Sequence, residues 1–105
     1  MSPEIERMAE ISPISNPGNY KLALQRIKKL FNEGTTVVTA HARLRMGQRR
    51  LTDIDLAHCI RYGRIIEHSK PMTCWRYTIL GQSVEKRRMK CVVEINGNLI
   101  IVTVI

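Results

Sequence analysis

Acidic side chains are scarce in this chain: nine Asp and Glu stand against seventeen Lys and Arg, for a net charge of +8. Aromatic residues are also few, at 5%. No apolar run approaches the ~20 residues a membrane helix needs, so no membrane partner is expected. The first residues lack a basic start followed by an apolar stretch, so no secretory signal is read. Three cysteines, Cys59, Cys74 and Cys91, are odd in number and widely spaced. That argues against a disulfide framework and for a reducing cytoplasm. There is no C-x-x-C or H-x-x-x-H spacing, and His58-Cys59 is an adjacent pair, so a metal site has no support. All three thiols fall at positions that read as buried, where cysteine is inert. A Gly-rich phosphate loop, a dinucleotide fingerprint and internal repeats are all missing, and no small-molecule cofactor is expected.

What is present bounds the rest. The 105 residues are 44% apolar, spread along the chain, which predicts one folded domain with a modest core. The charge is uneven. Residues 1–15 carry three acids and one base, whereas the remainder carries sixteen bases and six acids. Such a field speeds encounter with phosphate backbones, anionic lipid or acidic proteins without choosing among them.

Residues 1–18 hold Pro3, Pro13, Pro17 and several serines and read as an irregular arm, leaving residues 19–105 as a single domain. Asn16-Pro17 offers a helix start, and Tyr20, Leu24, Ile27 and Phe31 follow at helical spacing, with Ala23 and Leu30 beside them. Gly34 stops that helix. Thr35–Thr39 reads as a short strand or an extended lead-in. Thr39 caps a second helix over 40–49, and Thr52 with Asp55 forms a capping-box pattern opening a third that ends at Gly63. Its buried side would be Ile54, Leu56, Ala57 and Ile60. Strands are then expected over 64–68, 73–80, 88–95 and 98–105. The result is α+β: two to three N-terminal helices packed on one face of an antiparallel meander of about four strands.

Asn96-Gly97 is a two-residue hairpin signal, because both residues tolerate positive φ. That turn pairs Ile95 with Asn98, Cys91 with Val102, Lys90 with Thr103 and Arg88 with Ile105. Met89, Cys91, Val93, Ile95, Ile100, Val102 and Val104 then share an apolar face toward the helices. Arg88 and Lys90 lie on the other, partly open face. A slip of one residue would reverse the assignment.

Two basic clusters carry the candidate chemistry. His41 to Arg50 contains Arg43, Arg45, Arg49 and Arg50 with no acid, and guanidinium groups suit phosphate. The structural alternative pairs some of them with Asp53, Asp55 or Glu67. Lys86 to Lys90 contains Arg87, Arg88 and Lys90; Arg76 joins the last two if its strand alternates regularly. Trp75 or Tyr77 would stack on a base, or else simply pack in the core. Cleavage of RNA by a neighbouring 2′-hydroxyl needs a proton acceptor and cations around the phosphate. His41, His68 or Glu67 are candidates for the first role, and Arg76, Arg88 and Lys90 for the second.

These residues also carry a resemblance. His41-Ala42-x-x-Arg45-Met46-x-x-Arg49, Leu51-Thr52-x-x-Asp55 and Gly63-Arg64-Ile65-Ile66-Glu67, followed by a Tyr-containing strand and the Val92–Val104 hairpin, resemble short bacterial domains grouped with the RelE/ParE-like toxin superfamily. Lys28–Gly34 and the Trp75 strand look like its MqsR branch. There a glutamine after the tryptophan and a tyrosine early in the next strand are implicated in cleavage; here Arg76 and Arg88 occupy those places. The resemblance implies a metal-independent endonuclease of messenger RNA, acting at the ribosome and neutralised by an acidic antitoxin-like protein. A non-catalytic nucleic-acid-binding or protein-interaction module on the same fold is the alternative.

Overall fold

A computed structural model describes residues 18–105. The expected arm, residues 1–18, lies outside them but for Gly18, as does the Asn16-Pro17 helix start. Three helices and five strands follow in order: α1 (Tyr20–Asn32), β1 (Thr36–Val38), α2 (Ala40–Gln48), α3 (Asp53–Tyr62), β2 (Arg64–Ser69), β3 (Arg76–Gln82), β4 (Arg88–Asn96) and β5 (Asn98–Val104). None of these helices is long and apolar enough to cross a membrane.

Each helix is fixed locally by its cap. The Asn19 side chain accepts from the Leu22 amide at 3.2 Å, giving α1 its start. The stripe of α1 that is fully buried is Ala23, Ile27 and Leu30, with Tyr20, Leu24 and Phe31 half-buried on its flanks. Gly34 takes φ +77, the left-handed value that ends a helix without steric cost. Thr52 and Asp55 complete the capping box of α3. That helix buries Leu56, Cys59 and Ile60, but Ile54, expected inward, is 70% exposed. Two residues before Leu56, it points about 200° around the helix axis from it and so misses the Leu56–Ile60 face.

The sheet has the order β1-β5-β4-β3-β2. Four strands form an antiparallel meander, but β1 adds a fifth, parallel to β5, with Val37 opposite Ile100. The sheet is therefore mixed, and the four-strand meander needs that correction. A parallel partner 63 residues away leaves no turn signal to read.

The β4–β5 hairpin also departs from expectation. Only Gly97 takes a positive φ, at +73, and Asn96 faces Asn98 directly. Ile95 thus pairs with Leu99 and Val93 with Ile101, one residue out from the two-residue turn. The slip turns Leu99 and Ile101 inward in place of Ile100 and Val102, as the period of two requires. A bulge then leaves Val102 unpaired, so that Cys91 faces Val104 and Val104 is buried after all. The bulge is anchored: Thr39 caps α2 while its hydroxyl donates to the Val102 carbonyl at 2.9 Å. Met89, Cys91, Val93 and Ile95 of β4 face the core as expected.

Candidate functional site

Pairing places Gln82 beside Arg88, and Arg64, Leu80 and Lys90 in one row across β2, β3 and β4. Next come Glu67, Thr78 and Val92, then Ser69, Arg76 and Glu94. Directly paired residues share a face, so all of these lie on the open side of the sheet. Its charge is divided lengthwise. One end carries Arg64, Arg88 and Lys90; the other carries the ion pair of Arg76 with Glu94, at 2.5 Å, and Glu67 stands in the row between. Arg76 stands six residues along β3 from Gln82, about 20 Å from Arg88 at strand rise. The expected triad of Arg76, Arg88 and Lys90 thus shares a face but not a cluster.

The cationic end is shaped by a hairpin that outruns its neighbours. No residue of β2 stands opposite Gly81 or Gln82, and none of β5 stands opposite Arg88 or Met89. Both bare edges are held by side chains from the helices. His58 of α3 meets the Gln82 carbonyl through Nδ1 at 2.9 Å, and Arg49, the C-cap of α2, donates to the Arg88 carbonyl at 3.4 Å. In return Arg87 donates to the carbonyls of Arg49 and Arg50 at the end of α2. The Asp55 carboxylate accepts from the Val84 amide at 3.0 Å. Hydrogen bonds from Thr52 and Val84 hold that carboxyl below the ordinary aspartate range.

Close packing brings α3 to this hairpin. A Cβ on Gly81 would meet Cys59 Sγ at 2.8 Å, and one on Gly63 would meet the Cys59 and Leu80 carbonyls. The two glycines let the helix backbone lie almost on β3, which sets His58 and Tyr62 beside the strand end. Tyr62 is 71% exposed, with its ring 4.9 Å from that of His58.

Two grooves result, one along each bare edge. Tyr62, Arg64, Leu80, Gly81, Gln82 and Arg88 line a groove of about 350 Å³. Arg49, Arg88, Met89, Lys90 and Ile105 line a second of about 380 Å³. Arg88 is the wall between them. Neither lining includes an Asp or Glu side chain, and among the described residues the side chains of Arg64, Arg88 and Lys90 have no ion pair or hydrogen-bond partner.

The other candidates are placed elsewhere. His41 and Arg43 are exposed on α2, and Arg43 pairs with Asp53. Arg45 reaches the Val104 carbonyl at 3.5 Å. Glu67 lies on the open face opposite Thr78, one row along from Arg64 and Lys90. Tyr77 is 1% exposed and offers no face to a base; burial also raises its phenol above the ordinary range. Trp75 is half-buried against the core, and Lys70 Nζ lies 5.5 Å from its ring centre. Cys59 and Cys91 are buried, whereas Cys74, expected to be buried, is only partly so. Burial pushes the Cys59 thiol up to about 11.

Three residues of this corner were missed as a group: Tyr62, Arg64 and His58. One signal was available, since Asp55, His58 and Tyr62 fall at i, i+3 and i+7 on the polar side of α3, where an aromatic is out of place. Arg64 had none, because its neighbours are set by strand pairing.

No curated protein and no solved structure matches the chain. The stretch that supplies every residue of both grooves, residues 38–105, matches the family described as Domain of unknown function (DUF4258), and the chain belongs to that family.

Proposed function

We propose that this protein binds RNA through the end of the β3–β4 hairpin. The observation that carries the reading is the set of four cations, Arg49, Arg64, Arg88 and Lys90, lining two adjoining grooves that contain no Asp or Glu side chain. Phosphates set their spacing along a backbone, and the unpaired guanidinium groups of Arg64 and Arg88 supply matching donors. The rest of the basic surface is partly consumed by internal bonds, such as those of Arg43, Arg76 and Arg87. Fluorescence anisotropy with a labelled RNA oligomer tests this. Affinity should fall steeply with salt, and Arg88→Ala with Lys90→Ala should weaken binding and lower the salt slope by about one per lost phosphate contact. Binding untouched by those changes would end the proposal.

A second reading is cleavage, the RelE/ParE-like toxin activity that the residue pattern implies, and His58 favours it. A carbonyl only accepts, so the bond to Gln82 puts the hydrogen of a neutral His58 on Nδ1 and leaves Nε2 as a base. Placed at a phosphodiester, Nε2 would take the 2′-hydroxyl proton as that oxygen attacks phosphorus. The 5′ oxygen would leave with a proton from water, giving a 2′,3′-cyclic phosphate and a 5′-hydroxyl. Arg88 and Lys90 would stabilise the crowded phosphate. An acidic antitoxin-like partner would cover the same cations. Inducible expression with transcript-end mapping distinguishes cleavage from binding alone: cut ends should appear with the unaltered chain and vanish with His58→Gln.

A further inference from the structure

The groove at Tyr62 has a composition that charge alone does not require. Its floor is Leu80, flanked on neighbouring strands by Arg64 and Lys90, each about 5 Å away at strand spacing. Its wall is the exposed Tyr62 ring, and its rim is Arg64 and Arg88. The volume, about 350 Å³, lies at the small end of ligand pockets. An apolar floor, a flat aromatic wall and a cationic rim match one nucleotide: a planar base joined to an anion.

A duplex cannot use such a site, because its bases are stacked on one another and leave no ring face free. An unstacked base has a free π-face, which an exposed tyrosine covers. We infer that this groove holds one unstacked nucleotide of single-stranded RNA, the base against Tyr62 and its phosphate between Arg64 and Arg88. The inference rests on the RNA-binding reading and sharpens it to single strands. A purely acidic segment such as polyglutamate would satisfy the rim but has no ring to lay on Tyr62.

The test compares a labelled single-stranded RNA decamer with a duplex of the same length. The proteins compared are the unaltered chain, Tyr62→Ala, Tyr62→Phe and the Arg88→Ala/Lys90→Ala pair. Tyr62 is exposed, so its replacement should leave the fold intact, and far-UV circular dichroism checks that. The single strand should bind more tightly than the duplex. Tyr62→Ala should weaken the single strand about tenfold and leave the duplex unchanged, and Tyr62→Phe should stay within about twofold of the unaltered chain. If the cation pair weakens binding while Tyr62→Ala does nothing, the nucleotide site is overturned and RNA binding stands. If neither change matters, RNA binding at this end falls with it. Competition by polyglutamate as effective as RNA of equal charge would also overturn the site, in favour of an acidic-protein surface.

Discussion

Gly81 lies so close to Cys59 that a side chain there would meet Sγ at 2.8 Å and the Cys59 carbonyl oxygen at 3.0 Å. Because this contact seats α3 against β3, Gly81→Ala should cost roughly 1–3 kcal/mol, the usual range for overpacking. Urea unfolding measures it. Adding Cys59→Ala removes the nearest atom but not the carbonyl, so the double variant should recover only part of the loss.

Ile100 and Ile101 test the hairpin register. Ile101 is fully buried, while Ile100 is on the open face beside Val37. Ile101→Ala should cost about 2–5 kcal/mol and Ile100→Ala distinctly less. The reverse order of midpoints would mean that the two-residue turn forms instead.

Arg50 ends α2 at φ +56, with the Leu51 amide bonded to the Met46 carbonyl at 2.8 Å. This is a Schellman end with arginine where glycine is usual. The left-handed backbone costs a side chain roughly 1–2 kcal/mol, and glycine's greater freedom in the unfolded chain offsets about half of that. Arg50→Gly should therefore raise stability by about 0.5–1 kcal/mol in denaturant melts. Lys86 is likewise left-handed, at φ +67. Lys86→Gly should accordingly be stabilising on the same scale.

Asp55 links stability to pH. Its carboxyl is held below the ordinary range, first by the Thr52 amide and next by the Val84 amide. The folded state therefore binds that proton less readily than the unfolded chain. Its contribution is complete above the ordinary aspartate pKa and is lost as pH falls through the lower folded value. Asp55→Asn should destabilise at neutral pH by about 1 kcal/mol, the scale of a lost cap, and the difference should close in acid. A gap that persists at pH 2 would assign the effect to packing instead.

Thiol labelling checks the core. Cys59 and Cys91 are buried with thiols pushed upward by desolvation, whereas Cys74 is partly accessible. A water-soluble disulfide reagent at pH 8 should react quickly with Cys74 alone in the native protein, and with all three cysteines after unfolding.

The local elements were legible because their causes are local. Thr39, Thr52 with Asp55, and Gly34 bound helices through atoms within a few residues, and alternation along β4 turned Met89, Cys91, Val93 and Ile95 to one side whatever their partners. Ile54 misled because an apolar residue in a helix's first turn fits the stripe by type and misses it by angle.

From its order of residues alone the chain determined an α+β body, an excess of positive charge, and the placement of Arg88 and Lys90 away from the core. Three things were decided only in three dimensions: the parallel seat of β1 on β5, the slipped and bulged β5, and the meeting of Tyr62 and Arg64 with Arg88. The reason is the same in each case. A side chain's face follows from its own strand, but its neighbours follow from register and packing between segments far apart in sequence, and a shift of one residue there changes every contact without changing the pattern.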